Sequence, residues 1–290
     1  MKSILPPQEV SRSFIEVGKT KAAMPLGKLI GLGVLAGFFV GLAAHLATVV
    51  ATGWVVAGQE ALYGLKMLSV GMVFSTGLMM VLLPGSELFT GNCLMTIPLC
   101  AGEITLGGLL RNWTVVYLAN LLGSLVLAYS LAGFTGLLAG DVGGTAIKTA
   151  WTKVALSPGG LSHWMSFFMR AIWCNFLVCI AVMMAAAAQD ASGKILAVLF
   201  PIMAFVTSGF EHVVANMYFL PAGIIALRFP EAVEASGLNP EALSQLTWKA
   251  MVWDNFVPVT LGNILGGGIL VGVLYWAIYL RPERKSAELS

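Results

Sequence analysis

A glutamate and a histidine stand in the middle of one of the most apolar stretches of this chain. Residues 195–227 are overwhelmingly apolar except at a central cluster of Ser208, Gly209, Glu211, His212 and Asn216. An ionisable group inside a membrane is expensive, on the order of 3 kcal/mol at a helix centre, and is therefore functional by default. Histidine titrates near neutral pH and can donate to or accept from a small anion. The alternative for His212 is a structural role, with its ring hydrogen-bonded to a neighbouring loop.

The same stretch is too long for one straight membrane helix. A helix over residues 195–227 would be about 50 Å long, against a hydrocarbon core of about 30 Å. Gly209 beside the ionisable cluster predicts a break at residues 208–212. Broken helices at membrane depth are tolerated only where protein buries them or where they line a wet cavity. Transporters place their sites at such breaks.

A second copy of this arrangement lies earlier in the chain. Residues 69–100 are again apolar and are interrupted by Pro84, Gly85, Ser86 and Glu87. Aligning the two breaks places Gly85 on Gly209, Glu87 on Glu211 and Asn92 on Asn216. A second pattern also occurs twice. Asn112 and Asn120 are eight residues apart and are followed by Gly123. Asn255 and Asn263 are likewise eight residues apart and are followed by Gly266. The shared spacing indicates an internal duplication, in which Gly85, Glu87, Gly209 and Glu211 support the interrupting loops.

The composition of the chain is that of an integral membrane protein. Of 290 residues, 58% are hydrophobic and 10% are charged, with a mean hydropathy of +0.87, whereas a soluble domain has roughly 25% charged residues. The net charge of +2 gives no indication of nucleic-acid binding. Four cysteines lie in apolar runs without a CxxC pair, so small residues packed between helices are favoured over a disulfide or a metal site. We expect no cofactor and no metal.

The pattern predicts an all-α protein of six membrane-spanning segments. The spans are expected near 28–53, 64–100, 112–138, 164–188, 194–227 and 255–280, with a surface helix at 8–23 and polar loops at 139–162 and 228–254. The predicted parts are an N-terminal cytoplasmic segment (1–27), a channel domain (28–281) and a cytoplasmic tail (282–290). Ten lysines and arginines fall on the side of the termini and six on the other, which predicts cytoplasmic termini in a cell membrane. Three spans per repeat is an odd number, so the halves are expected to be inverted.

Other residues near the breaks could contribute to a pore, although each also has an ordinary structural explanation. The hydroxyl of Thr90 follows the first break and could face His212, or it could bond back to the preceding turn. Lys153 could concentrate small anions at a pore mouth, or it could be a solvated lysine in a loop. Leu78, Leu88 and Phe205 are candidates for an apolar constriction, but periodicity alone more often indicates packing residues.

Several segments together resemble the formate/nitrite transporter family. They are Leu88-Phe-Thr90, Gly209-Phe-Glu-His212 with Asn216, Cys174-Asn175-x-Leu-Val-Cys179, and the run from Pro258 through Asn263 to Gly268. The resemblance covers roughly residues 8–281. It implies an aquaporin-like fold of six spans with an inverted repeat, one pore per protomer, a homopentamer in the lipid bilayer, and passage of formate, nitrite, hydrosulfide or lactate.

The resemblance also implies roles for individual residues. Leu78, Leu88 and Phe205 would form two apolar constrictions, with His212 and Asn175 facing the pore between them. Thr90 would lie on the loop that interrupts the second span, and Lys153, in Thr149-Ala-Trp-Thr-Lys153, resembles the family's vestibule lysine. Asn216 is included among the expected pore residues.

The expected function is passage of a small monovalent anion of a weak acid, most often formate in this family. An anion loses several kcal/mol or more on desolvation, while protonating a carboxylate of pKa about 4 at pH 7 costs about 4 kcal/mol. Because these costs are similar, the neutral acid is the expected permeating form, with His212 supplying the proton. Nitrite and hydrosulfide stay open as substrates. Rival interpretations are a membrane-embedded enzyme subunit using His212 and Glu211, and a neutral-solute pore, whose paired Asn-Pro-Ala signature is absent.

Overall fold

The computed structural model describes residues 4–54, 62–155 and 163–282, and their regular structure is helical apart from one isolated bridge between Ile4 and Ala188. We number the helices in chain order. They are α1 (Pro7–Ala22), α2 (Leu26–Ala51), α3 (Tyr63–Leu82), α4 (Phe89–Cys100), α5 (Leu106–Phe134), α6 (Gly140–Thr152), α7 (His163–Ala187), α8 (Ala191–Thr207), α9 (Val213–Ala226), α10 (Pro230–Ser236), α11 (Pro240–Gln245) and α12 (Trp248–Tyr279). Within α12, residues 251–256 and 264–273 are wound as π-helix.

The lengths of the helices agree with a multi-pass membrane protein. Five of the described helices, namely α2, α3, α5, α7 and α12, are long and apolar enough to cross a membrane, and a sixth span is counted if α9 and α10, bent by 114°, form one unit. The helices α4 and α8 are apolar but shorter. In the predicted topology, α3 with α4 and α8 with α9 form the two broken spans, which together with the four continuous helices would give six.

Two tight helix pairs form the frame of the molecule, one in each half of the sequence. Helix α5 packs closely on α2, and α12 packs closely on α7. A Cβ atom on Gly123 would collide with the backbone carbonyl of Val34, and one on Gly266 would collide with the carbonyl of Ile172. Glycine at these equivalent positions therefore lets each pair of backbones approach closely.

Both predicted breaks are confirmed, and they have the same local geometry. Helix α3 ends before Gly85 (φ +91°) and α8 ends before Gly209 (φ +70°). The following amides, of Ser86 and Phe210, donate to carbonyls five residues back, at 2.9 Å and 3.0 Å. This is the Schellman arrangement, in which a left-handed glycine turns the chain away from the helix axis.

The prediction that residues 139–162 form a polar loop was wrong for its first half, because residues 140–152 form α6. The buried residues Ala146, Ile147 and Ala150 recur at helical spacing, and this apolar face was outweighed by the surrounding glycines and charges. Residues 156–162 lie outside the described part of the chain. The expected loop 228–254 likewise contains α10, α11 and the start of α12, and α10 packs against α6.

The N-terminal helix α1 agrees with the predicted surface helix to within about a residue at each end, but its apolar face lies against the helical body. Val10 and Phe14 are buried, and the end of the helix is held by Arg111, whose guanidinium donates to the carbonyls of Ala22 (3.3 Å) and Met24 (3.0 Å). Docking in this way places the C-terminal turn of α1 beside the first break.

Candidate functional site

The first break is supported by a buried polar network centred on Glu87. Its carboxylate accepts from the ammonium of Lys21 (2.6 Å) and from the amide of Asn92 (2.7 Å). The Asn92 amide also donates to Asn112 (2.8 Å), whose own amide donates to the Lys21 carbonyl (3.3 Å). Asn120 accepts from the first amide of α4, at Phe89 (3.0 Å), and donates to the Glu87 carbonyl (2.9 Å). The exposed backbone of the break is thereby hydrogen-bonded by side chains.

The second break repeats this network except for one lysine contact. Glu211 accepts from Lys153 (3.0 Å and 3.1 Å) and from the amide of Asn216 (2.7 Å). The Asn216 amide also donates to Asn255 (2.8 Å), whose amide donates to the Lys153 carbonyl (2.9 Å). Asn263 accepts from the first amide of α9, at 2.9 Å, and donates to the Glu211 carbonyl at 3.0 Å. The equal spacing of the asparagines in the two halves therefore reflects equal hydrogen bonding.

One contact differs between the two networks. Lys21 binds both Glu87 and the Oδ1 atom of Asn92 (2.9 Å), whereas Lys153 binds both carboxylate oxygens of Glu211 and leaves Oδ1 of Asn216 without a partner in the described structure. The Lys153 ammonium also lies 5.4 Å from the centre of the Phe219 ring. The second network therefore lacks the hydrogen bond between lysine and asparagine that the first network has.

His212 and Thr90, one from each break, form a hydrogen bond of 2.9 Å between Nε2 and Oγ1. His212 precedes α9 and its Nδ1 accepts from the amide of Ala215 (3.0 Å), so the side chain caps the helix. A backbone amide can only donate, so Nδ1 carries no proton and the neutral ring is assigned a proton on Nε2. The imidazole therefore donates to the Thr90 hydroxyl, and both residues are buried.

The residues packed around this pair hold it in place. Asn175 donates to the Thr90 carbonyl (3.2 Å) and to the Asn263 carbonyl (2.7 Å), and it lies on the wall of neither cavity described below. The thiol of Cys179 also donates to the Thr90 carbonyl (3.4 Å). The His212 ring stacks on Phe205, with centroids 5.9 Å apart and an angle of 20° between the planes.

Two cavities approach this pair from opposite ends. We call the first the α1 cavity; it has a volume of about 130 Å³ and is lined by Phe14, Val17, Gly18 and Lys21 of α1 together with Leu78, Leu88, Gly91 and Asn92. We call the second the α6 cavity; it has a volume of about 460 Å³ and its walls include Thr149, Lys153, Phe205, Gly209, Glu211, His212, Asn216 and Phe219. Leu88 and Gly91 line one cavity and His212 the other, so the Thr90–His212 bond lies between them.

The three expected constriction residues lie at these cavities and are almost inaccessible. Leu78 and Leu88 are 5% and 3% exposed and line the α1 cavity. Phe205 is 3% exposed, lines the α6 cavity and meets Phe74 edge-on at 5.9 Å between ring centres. Apolar side chains therefore stand on both sides of the polar Thr90–His212 pair.

Sequence reasoning missed two kinds of residue at this site. Lys21 was assigned only to a surface helix, although its place on the same side as Val10, Phe14 and Val17 was the signal that it faces the protein. Asn112, Asn120, Asn255 and Asn263 were used as markers of the repeat without a role, although polar residues that recur within apolar spans indicate buried hydrogen bonding.

Comparison with known proteins agrees with this geometry. The family model for formate/nitrite transporters matches residues 8–277. The chain is 40% identical over 287 residues to a probable formate transporter of Methanothermobacter thermautotrophicus, covering 95% of this chain and 97% of the relative. It is 36% identical over 286 residues to the formate channel FocA of Escherichia coli strain K12, covering 97% and 96%.

Solved structures give the same result for the fold. An FNT family ion channel superposes with a TM-score of 0.75 at 27% identity, covering 95% of this chain and 98% of that one. A structure described as a pentameric formate channel with formate bound gives a TM-score of 0.73 at 35% identity, covering 88% and 98%. These proteins are channels or transporters, so the chain is a membrane transport protein and not an enzyme, and it belongs to the formate/nitrite transporter family.

Proposed function

We propose that the chain is a channel for small monovalent anions of weak acids, with formate as the main substrate, and that the substrate crosses the middle of the pore as the neutral acid. The single observation that supports this is the buried Thr90–His212 pair lying between two cavities and flanked by apolar side chains. Formate is favoured because relatives at 36% and 40% identity are named as formate transporters or channels. Nitrite and hydrosulfide are the alternatives within the family.

The energetics favour protonation before passage. A bare anion between Leu78, Leu88 and Phe205 would lose its hydration without a compensating charge, which costs several kcal/mol or more. Protonating a carboxylate with pKa about 4 at pH 7 costs about 4 kcal/mol, at 1.36 kcal/mol per unit. These two costs are of similar size, and the neutral form then meets only apolar side chains and hydrogen-bonding groups, so its passage needs no further desolvation of a charge.

The hydrogen bonding of His212 defines the route of the proton in this proposal. Its Nδ1 accepts from the Ala215 amide and its Nε2 proton is donated to Thr90, so the ring stays neutral and orients the Thr90 hydroxyl. The hydroxyl passes its proton to the substrate anion and regains one from water that is in contact with the bulk solution, which supplies the net proton. Lys153 attracts the anion into the α6 cavity. Asn175 fixes the position of Thr90 by donating a hydrogen bond to the backbone carbonyl of Thr90. Leu78, Leu88 and Phe205 disfavour the charged form.

The same proposal includes the assembly and the topology. A solved relative described as a pentameric formate channel supports a homopentamer with one pore per protomer. We propose that residues 28–281 form the channel domain as an inverted repeat in the lipid bilayer of a cell membrane, with residues 1–27 and 282–290 on the cytoplasmic side.

Formate uptake into liposomes from pH 8 to pH 5 tests the function. We expect uptake to rise as external pH falls, because the neutral acid becomes more abundant and easier to form. A flat profile would refute proton-coupled passage. In the His212→Phe variant we expect formate uptake to lose most of its pH dependence. His45→Phe is the matched control. His45 is an intramembrane histidine that hydrogen-bonds Tyr218 (3.0 Å) and lines neither cavity. A His212→Phe protein that kept the full pH profile would remove the histidine from the mechanism.

The same liposomes separate the candidate substrates. Nitrite and hydrosulfide are added as competitors of labelled formate, and the anion that competes at the lowest concentration identifies the preferred substrate. Osmotic swelling measured with water as the only permeant tests the neutral-solute pore, which predicts fast swelling without formate uptake.

A further inference from the structure

Equivalent contacts in the two halves align helix α2 with helix α7 residue by residue. Asn120 of α5 donates to the carbonyl of Gly33 (2.8 Å), and its counterpart Asn263 of α12 donates to the carbonyl of Ala171 (2.8 Å). The two collisions of the frame glycines described above, each with the carbonyl one residue further along, give the same alignment. The pairs α2–α5 and α7–α12 can therefore be compared position by position.

This comparison shows one level at which the two pairs pack differently. Gly37 of α2 corresponds to Asn175 of α7. In the first half there is no room for a side chain here, because a Cβ atom on Gly37 would collide with the carbonyl of Asn120. In the second half the whole Asn175 side chain is accommodated, and it donates to the equivalent carbonyl, that of Asn263 (2.7 Å). Helices α7 and α12 therefore leave a space that α2 and α5 close.

Two features of α12 provide this space. Its winding changes to π-helix at residues 264–273, whereas the equivalent helix α5 is wound as α-helix throughout. Within the π-helical segment stands Gly267, whose counterpart in α5 is Ser124. A Cβ atom on Gly267 would collide with the amide of Asn175 and with the thiol of Cys179. Short π-helical segments are rare and occur frequently at functional sites.

The two side chains placed in this space both bind the backbone of Thr90. Asn175 and Cys179 donate to the Thr90 carbonyl at 3.2 Å and 3.4 Å. A carbonyl oxygen has two lone pairs, so both donors can bind it together. Because the carbonyl is fixed from α7, the Thr90 side chain is held in the direction that gives its 2.9 Å hydrogen bond with His212.

The Thr90–His212 pair is itself a departure from the internal repeat. The alignment of the two breaks places Leu88 on His212 and Thr90 on Val214, so the equivalent residues are apolar. The polar pair and the space between α7 and α12 are therefore two departures from the repeat at one place in the molecule. Their direct contact indicates that they serve the same purpose.

We propose that Gly267 and Cys179 are positioning residues of the pore, and that the π-helical segment of α12 provides the space in which Asn175 and Cys179 fix Thr90. This rests on the proposed function, because it assumes that the Thr90 hydroxyl passes a proton to the substrate. Gly267 and Cys179 line neither cavity. They act through the backbone of Thr90 and carry no proton to the substrate themselves.

Loss of positioning has a kinetic signature that loss of folded protein does not have. A displaced Thr90 hydroxyl slows proton transfer but leaves the two cavities unchanged. The maximal formate flux should therefore fall while the half-saturating concentration stays the same. The ratio of the fluxes in H2O and D2O should rise, because proton transfer then limits passage more strongly. A smaller amount of folded channel would lower the flux without changing this ratio.

The test gives the α7–α12 pair the residues of the α2–α5 pair in the full chain. Gly267→Ser adds the side chain of the counterpart and displaces Asn175 and Cys179. Asn175→Gly combined with Gly267→Ser removes the collision with Asn175 but also removes its hydrogen bond to Thr90. We expect the single variant to lower maximal formate flux into liposomes about fivefold, the scale of one lost hydrogen bond, and to raise the H2O/D2O flux ratio. The double variant should regain part of the thermal stability but not the flux.

A second variant adds no atoms and therefore avoids the folding risk of the glycine substitutions. Cys179→Ala removes one donor to the Thr90 carbonyl and should lower maximal flux about two- to threefold, as befits a weak S–H donor, with a raised H2O/D2O ratio. Cys179→Ser keeps a donor and should stay close to the natural sequence. Gly41→Ala is the matched control for crowding. Gly41 is the counterpart of Cys179, and its new methyl would meet the side chains of Leu127 and Tyr218, so stability should fall without a change in the ratio.

The outcomes separate this proposal from the proposed function. Recovery of flux together with stability in the double variant would overturn the positioning role. So would an unchanged H2O/D2O ratio in both Gly267→Ser and Cys179→Ala, or an equal rise of the ratio in Gly41→Ala. In each of these cases, pH-dependent formate uptake by the natural sequence would leave the proposed function intact. A flat pH profile of the natural sequence would overturn both.

Discussion

Removing both partners of the Lys153–Glu211 ion pair should cost less stability than the sum of the two single losses. The ammonium and the carboxylate are 3.0 Å apart, and their side chains are 13% and 6% exposed. Lys153→Met keeps most of the aliphatic stem but leaves the buried carboxylate unpaired. Glu211→Gln keeps the acceptor for the Asn216 amide and leaves the ammonium unpaired. The double variant leaves no uncompensated charge.

The expected magnitude follows from the geometry. At 3.0 Å and an effective dielectric constant of about 20, Coulomb's law gives an attraction of about 5.5 kcal/mol. Some of this is offset by desolvation and by residual contact with the water of the α6 cavity, so breaking the pair should cost about 3 kcal/mol in the single variants. We expect a coupling free energy of about 2–3 kcal/mol, with the double variant more stable than the sum of the single losses predicts.

The assay is equilibrium unfolding in mixed detergent micelles, followed by tryptophan fluorescence for the four members of the cycle. Lys249→Met combined with Glu241→Gln is a matched pair of exposed charges without an ion pair between them, and its coupling should be close to zero. The reasoning would be refuted if the double variant's loss of unfolding free energy equalled the sum of the two single losses to within about 0.5 kcal/mol. That result would show that the buried ion pair does not stabilise the second break.

Two further predictions concern the packing and the pore. Gly266→Ala should destabilise the protein by about 1–3 kcal/mol in thermal unfolding, because the new methyl group meets a backbone carbonyl that cannot move aside. Gly31→Ala, where nothing lies within 4 Å, should be neutral or slightly stabilising because alanine is the better helix former; equal losses would contradict the packing argument. Thr90→Val should lower formate flux about tenfold, because the Nε2 proton of His212 loses its acceptor at a cost of about 1–3 kcal/mol, and unchanged uptake in liposomes would exclude Thr90 from the proton route.

The correspondence between the two breaks also explains why the repeat was visible in the sequence. Glu87 and Glu211 each require a lysine and an asparagine in contact, and Asn120 and Asn263 each hydrogen-bond the backbone on both sides of a break. Within a membrane these groups cannot be satisfied by water. Their spacing is therefore constrained in both halves, while the apolar residues around them are interchangeable.

The amino-acid sequence by itself determined the membrane class, the two breaks and the internal repeat. Its hydrophobic runs exceed the length of one span, and glycines beside ionisable residues interrupt them at matching positions. It also indicated His212 and Thr90 as partners, because each lies at or directly after a break. The helix α6 was missed, since its short apolar face stands among glycines and charges that are typical of a loop.

Only the tertiary structure decided which groups face one another. Lys21 and Glu87 are 66 residues apart, and Lys153 and Glu211 are 58 apart, so nothing local in the sequence pairs them. The proton on Nε2 of His212 is assigned from the contact of Nδ1 with a backbone amide of the following helix. Periodicity specifies which face of a helix is apolar, but the meeting of charges from different helices depends on how those helices pack, which the pattern of one segment does not contain.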